Sequence, residues 1–411
     1  MLKYLYSIPI RSTALDRSLH YYDYKEDVLM CDRAILYATG DIIIDEPDPH
    51  SFFAPSKDLL AAADFVLGQI EVPHTDRGEA NSTDVPAPPA DPSNLDALVP
   101  CGFNLCTTAG NHAHDNGVPG IVDTIEHLKA RGISVTGSGR NITEAKAPAT
   151  ATRKGISVAV LAYNAVGPRE GWATSKKAGV SYVNILTHHE PSPRATPGLP
   201  ATIYTFPEPE SLEQMQADIR ALRPQCDILL VALHKGMVHL DSVIQMYEIP
   251  LAHAAIDAGA DGVIGHHAHI LRGIEVYRGK PIYHNLGNFV CVTHALTPTA
   301  DNDSPERLAW IASRKKMFGF TPDMTMPYYP FNPDSRNTML AKLVLTKEGI
   351  ESFGYVPCYI DHAGAPVPLT TYEAAQPVIG YIQRIQQEEK LPCRMEWQED
   401  GWVKVSAEGG D

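Results

Sequence analysis

The stretch Gly259-Ala260-Asp261-Gly262-Val263-Ile264-Gly265-His266-His267-Ala268-His269 decides the fold. The short apolar run Gly262–Ile264 has the character of a buried strand. It stops at a glycine and is followed at once by His266, His267 and His269. Sheets of α/β proteins place their sites just beyond the C-terminal ends of strands. The same arrangement recurs upstream. Ile228–Leu233 ends at His234, and Phe103–Thr108 ends at Gly110-Asn111-His112, with Asp115 close behind. Phe65–Ile70 ends at Glu71, and Ala34–Thr39 ends at Gly40-Asp41. Ile156–Tyr163 is a further apolar run. Helical periodicity fills several intervals. Val118–Arg131 puts Ile121, Ile125 and Leu128 on one face, with Pro119 suited to a first turn. Ser211–Leu222 and Ser242–Ala258 read the same way. Strands alternating with helices predict an α/β fold.

The strand ends carry one kind of chemistry. Carboxylate, amide oxygen and imidazole together suit Mn²⁺, Zn²⁺ or Fe, and not a thiolate site. Singly, each residue has a plainer reading. An Asp after a strand is more often a turn residue or helix cap, and a lone buried His is more often satisfied by a neighbour. The ordered set, with each member after its own strand, outweighs those readings.

Composition bounds the partners. The chain has 411 residues and a formal net charge of −15, which argues against nucleic acid as a partner. Of its 17 histidines, seven lie between His234 and His284. Seven cysteines occur without a C-x-x-C pair, so neither a disulfide framework nor a zinc knuckle is expected. The N-terminal MLKYLYSIPI lacks a continuous apolar signal region, and no run reaches the length of a membrane helix. The expectation is a cytoplasmic protein with no transmembrane segment, open to homo-oligomer formation. Residues 1–33 read as an N-terminal arm. Two proline-rich stretches, Asn164–Pro209 and His294–Pro333, read as long loops able to roof a cleft. Thr338–Thr346 and Ile350–Tyr359 read as a hairpin, and Tyr372–Lys390 as a helix. His188-His189 and the basic run Arg314-Lys315-Lys316 read as solvated, and Trp172 and Tyr328-Tyr329 as packing residues.

The ordered set, with Ala109–Gly117 and Gly259–His269 as its clearest parts, resembles the CapA family of poly-γ-glutamate capsule synthesis, within the calcineurin-like metallophosphoesterase superfamily. Lys280-Pro281-Ile282-Tyr283-His284-Asn285-Leu286-Gly287-Asn288-Phe289 resembles that family's closing strand motif. The resemblance covers about residues 34–292. It implies a four-layer α/β/β/α sandwich with two central sheets over a core of residues 34–293. Residues 294–411 would add a proline-rich loop and a C-terminal hairpin and helix packed on that core.

By the same resemblance, Asp41 would bind a first metal and Glu71 would bridge two. Asn111, His234 and His267 would hold the second metal, and His269 the first. His112 would donate a proton, oriented by Asp115, and Asn285 and Asn288 would orient ligands. The chain departs from the superfamily at Asp41-Ile42-Ile43, where Asp-x-His is usual, so a first-site histidine is missing. One ion, two or none are therefore compatible with the sequence. Three functions follow. The first is metal-assisted hydrolysis, or related chemistry, of a small-molecule phosphoester or of a γ-glutamyl, polyglutamate-like or peptide-like chain. The second is metal-independent acid–base chemistry such as peptide Cα epimerisation, with Asp41 or His112 facing His267. The third is a non-catalytic role in a polymer-synthesising complex.

Overall fold

The structure is a computed structural model that describes residues 33–80, 89–191, 200–293, 305–323, 325–326 and 328–409. The arm expected over residues 1–33 lies outside these residues except for Arg33. The strands run, in chain order, β1 (Ala34–Asp45), β2 (Phe65–Ile70), β3 (Leu105–Thr107), β4 (Ser134–Thr136), β5 (Ser138–Gly139), β6 (Ala149–Arg153), β7 (Ile156–Asn164), β8 (Gly179–Val180), β9 (Ile185–Glu190) and β10 (Thr202–Pro207). They continue as β11 (Ile228–His234), β12 (Gly262–His266), β13 (Leu271–Tyr277), β14 (Lys280–Leu286), β15 (Asn288–Thr293), β16 (Asn337–Thr346), β17 (Gly349–Ile360), β18 (Pro366–Pro368), β19 (Arg394–Gln398) and β20 (Trp402–Ser406).

Two large sheets form. The first runs β19-β20-β17-β16-β1-β2-β3-β4, with β15 parallel to the far half of β1. The second runs β13-β14-β12-β11-β7-β6. Both are parallel around the site: β1 with β2 and β2 with β3 in one, β7, β11 and β12 in the other.

Strand residues alternate between two apolar layers although the sequence runs are continuously apolar. Leu36, Ala38, Leu67 and Leu105 of the first sheet meet Val158, Val160, Leu230 and Ile264 of the second in one shared core. Their neighbours face outward. Tyr37, Val66 and Cys106 pack under the helix Gly117–Ala130 through Ile121, Ile125 and Leu128. Leu161, Leu229, Val231 and Val263 pack under the helices Pro209–Leu222 and Glu248–Asp257. Strands covered on both faces need apolar residues at every position, which hides their period of two. The order is helix, sheet, sheet, helix, the four-layer α/β sandwich expected.

The chain returns from the second sheet to the first at a turn that also sets the site. β14 belongs to the second sheet and β15 to the first, and Gly287 (φ +70°) makes the switch between them. Gly40 sits against this turn. A Cβ there would lie 2.1 Å from the Gly287 carbonyl oxygen, whose hydrogen bond from Asp41 N–H is 3.0 Å long. Only glycine at position 40 lets the middle of β1, which runs on past Asp41 to Asp45, close onto the crossover.

Several elements differ from the sequence reading. The helix expected from Ser242 begins at Glu248, because Ser242 takes φ +54° and Pro250 fits only a first turn. The stretch Asn164–Pro209 is not one loop: it holds β8 and the exposed antiparallel pair β9–β10. Within His294–Pro333, the helix Pro305–Phe318 is formed. The hairpin β16–β17 extends the first sheet beside β1. The helix Tyr372–Glu388 covers edge strand β13, where Gln386 bonds both the N–H and the carbonyl of Ile274 (2.9 and 2.6 Å). Among the described residues, no helix is long and apolar enough to cross a membrane.

Candidate metal centre

The strand ends of the two sheets face each other, and four of the expected residues meet there. Glu71, His234 and His267 each offer a ligand atom, all within 4.8 Å of one another. His234 Nε2 lies 2.8 Å from Asn111 Oδ1 and 3.3 Å from Glu71 Oε1. The rings of His234 and His267 are 4.8 Å apart. All four side chains are buried. Neither Glu71 oxygen makes a directed hydrogen bond, and His234 Nδ1 and His267 Nδ1 have no partner. Buried polar atoms without partners are rare and costly, and a buried Glu71 carboxylate without a directed hydrogen bond beside two imidazoles fits a cation. Carboxylate, amide oxygen and two imidazoles are a fitting donor set for Mn²⁺, Zn²⁺ or Fe.

Asp41 and His269 stand beside this group and outside it. Asp41 Oδ2 accepts the His267 backbone N–H at 3.0 Å and lies 3.6 Å from His269 Nδ1. His269 Nδ1 is 2.8 Å from Asn288 Oδ1, and Asn288 Nδ2 donates to Tyr329 Oη at 2.8 Å. Asn288 thus holds the His269 ring and links it to Tyr329. Asn285 instead accepts the Gly287 N–H at 2.9 Å and shapes the crossover turn. His267 and His269 take φ +94° and +53°, conformations that non-glycine residues hold only when the surroundings impose them.

Electrostatics divide the two carboxylates. Burial drives the Asp41 carboxyl well above its usual value, and Glu71 pushes it the same way, against the His267 N–H. Burial also raises Glu71, but His234, His269 and His112 outweigh it and hold Glu71 ionised. Burial, with His234 adding to it, keeps His267 far below the ordinary histidine value, and burial takes His269 down to about 4. Neutral imidazole is the form that ligates a metal. His266, the third histidine of the motif, is also lowered to about 4 by burial, and its Nε2 bonds Thr39 O at 3.0 Å. It ties β12 to β1.

At the mouth, His112 Nδ1 lies 2.7 Å from Asp115 Oδ2, and the His112 side chain is 13% exposed. Asp115 therefore accepts from Nδ1–H and fixes the tautomer of the ring. His114 beside it is held below its usual value by burial and then by Lys177.

Sequence reading missed a buried ionic chain behind the centre. Lys235, fully buried, donates to Glu248 Oε2 at 2.6 Å and to His284 O at 3.1 Å. His284 Nε2 lies 3.0 Å from Glu275 Oε2, and Glu275 Oε1 lies 2.6 Å from His253 Nε2. The available signal was a lysine directly after the apolar run that ends in His234. Among residues given plain readings, His188 and His189 are exposed on β9, and Lys315 and Lys316 are exposed. Arg314 is not solvated: it is 8% exposed, with its guanidinium 5.4 Å from the Phe318 ring centre. Trp172 stacks on Tyr182 at 4.0 Å.

Fold and site together define a four-layer α/β sandwich with a buried carboxylate–imidazole cluster of metal-ligating type at its strand ends. The chain belongs to the family described as bacterial capsule synthesis protein PGA_cap, whose model matches residues 27–293. It is 29% identical over 278 residues to the PGA biosynthesis protein CapA of Bacillus subtilis (strain 168), covering 65% of this chain and 64% of that protein. It is 30% identical over 203 residues to the probable polyglutamine synthesis accessory protein MT0602 of Mycobacterium tuberculosis (strain CDC 1551 / Oshkosh), covering 48% of each. The chain thus spans less than two thirds of the length of these relatives. Among solved structures, the calcineurin-like phosphoesterase YfkN from Bacillus subtilis is similar at 11% identity, covering 87% of this chain and 99% of that one, with a TM-score of 0.35.

Proposed function

We propose that this chain is a metal-assisted hydrolase acting on a γ-glutamyl or other peptide-like chain, or on a phosphoester. The observation that carries the reading is the buried group Glu71, Asn111, His234 and His267, in which neither Glu71 oxygen makes a directed hydrogen bond and Glu71, His234 and His267 offer ligand atoms within 4.8 Å of one another. These four would hold one divalent ion. When bound, such an ion polarises a carbonyl or phosphoryl oxygen and lowers the pKa of water. The chain's own residues do the rest. Glu71 stays ionised and supplies the charge that neutralises the cation. Asp41 buttresses the His267 backbone through its hydrogen bond. His112, held at Nδ1 by Asp115, would take up a proton at Nε2 from water and, as the imidazolium, pass it to a leaving group. The relatives' names, a PGA biosynthesis protein and a probable polyglutamine synthesis accessory protein, favour a glutamate polymer over a phosphoester.

The test is metal analysis of protein purified without chelator, followed by Mn²⁺-dependent cleavage assays on γ-linked glutamate oligomers and on a phosphodiester. Absence of bound transition metal together with no cleavage of either substrate would sink the reading. A second reading draws on the raised Asp41 carboxyl beside neutral His267, an acid and a base in one cleft. It is epimerisation at a peptide Cα without metal. Deuterium incorporated from solvent at Cα in metal-stripped protein would favour it over hydrolysis.

A further inference from the structure

The turn after β7 runs along the candidate centre. Ala165 N–H donates to His234 O at 2.9 Å. A Cβ on Gly167 (φ +80°) would lie 2.5 Å from Asn111 Cβ, and one on Gly171 would lie 3.6 Å from His114 Cβ. Glycine lets this turn touch the Asn111–His114 loop directly. The turn carries Arg169 and, a few residues on, Lys176 and Lys177, with Glu170 as the one acidic residue among them. In a chain whose net charge is −15, this turn carries three cations to one carboxylate, with Glu208 bonded to the far side of Asn184 at 3.1 Å.

Arg169 is exposed and yet held in place. Its guanidinium carbon lies 5.3 Å from the Trp172 ring centre, and Trp172 stacks on Tyr182 at 4.0 Å with an 8° interplanar angle. One of its nitrogens makes a long bond, 3.4 Å, to Asn184 Oδ1. Among the described residues, no carboxylate forms an ion pair with it. Lys177 Nζ folds back to the Glu170 carbonyl at 2.7 Å, which brings its ammonium to the same turn. A guanidinium pre-oriented on an aromatic stack, with its fork still open, is suited to a carboxylate or phosphate.

We propose that Arg169, supported by Lys176 and Lys177, is a receptor for a carboxylate that the substrate carries outside the reacting bond, so that the cleft selects an acidic chain. The inference rests on the proposed function for where the reacting bond lies; the binding it asserts does not require that reading.

The experiment measures binding of three probes to the full chain by calorimetry: a γ-linked glutamate tetramer, the same tetramer with its carboxylates amidated, and tripolyphosphate. Trp172 emission is followed in parallel. The wild type is expected to bind the acidic tetramer about tenfold more tightly than the amidated one, with a change in emission. Arg169→Gln is expected to remove that preference and the emission change, and Lys176→Gln/Lys177→Gln to reduce it. Metal content should not change in either variant. Equal binding of acidic and amidated tetramers, or wild-type binding by Arg169→Gln, overturns the proposal. Tripolyphosphate binding more tightly than the tetramer, with the same dependence on Arg169, overturns the choice of carboxylate in favour of phosphate. A chain that holds no metal and cleaves nothing, yet keeps the Arg169-dependent preference, loses the hydrolase reading and retains this one.

Discussion

The two halves of the strand-end cluster differ in what satisfies their side chains. Around Glu71, Asn111, His234 and His267, buried donor atoms converge and several have no protein partner. Around Asp41 and His269, the protein supplies more of the partners itself, the His267 N–H on Asp41 Oδ2 and Asn288 on His269, and leaves Asp41 Oδ1 as the one unbonded oxygen of that carboxylate. The half that lost its first-motif histidine at Ile43 is the half knitted into the protein. The half that kept every expected residue is the one left open. Charge divides the same way, with Glu71 ionised and Asp41 driven toward its neutral form. An account with one ion, seated in the open half, follows.

The largest effect expected is from Glu71→Gln, which removes the only ionised carboxylate of the open half. Metal affinity should fall about a hundredfold or more, beyond the roughly 10–100-fold typical of changes in outer-shell partners. Titration of Mn²⁺ by calorimetry measures it, and near-wild-type affinity would erase the distinction between the halves.

Next is Lys235→Met, behind the open half. It strands buried Glu248 and should cost about 3–5 kcal/mol in urea unfolding. The sign of the pH dependence should also reverse. In the wild type, burial raises the Glu248 carboxyl but Lys235 outweighs it, so its folded value is lowered. The pair therefore contributes stability above the unfolded carboxylate value, and that contribution is lost as pH falls through the folded one. Without Lys235, burial is opposed only by the Gln245 N–H and by His284, and the folded value is expected to rise, so stability is fully present at low pH and lost as pH rises through that raised value. Adding Glu248→Leu should recover most of the loss; failure to do so would mean that Lys235 does more than pair a charge.

His112→Gln is expected to lower turnover about a hundredfold while leaving metal content unchanged. Loss of metal in this variant would make His112 a ligand. The smallest effect expected is from Asp41→Asn, which keeps an oxygen for the His267 N–H. It should change Mn²⁺ affinity by no more than about tenfold. A loss matching that of Glu71→Gln would show that both halves hold metal.

Much of this was legible in the sequence, for a physical reason. Strands covered on both faces write themselves as unbroken apolar runs: Phe65–Ile70 begins and ends where its run does, and β11 begins with its run at Ile228 and extends one residue past it to His234. The donor residues are visible because a polar residue straight after such a run stands out. That there are two sheets came from the resemblance. The alternation that separates the layers, Leu230 inward and Leu229 outward, is invisible when both sides are apolar. The β9–β10 pair was read as loop because its exposed strands lack a buried face. The helix expected from Ser242 starts at Glu248 because the positive φ of Ser242 is imposed by its surroundings and leaves no mark in the apolar spacing. Lys235 was overlooked because His234 accounted for the polar strand end, while its ammonium turns back to Glu248 and His284.

The most direct test is a metal count on protein purified without chelator and then equilibrated with excess Mn²⁺ before desalting. The account predicts one ion per chain, retained in Asp41→Asn and lost in His234→Ala. Two ions per chain in the wild type, or one that survives His234→Ala, would contradict it.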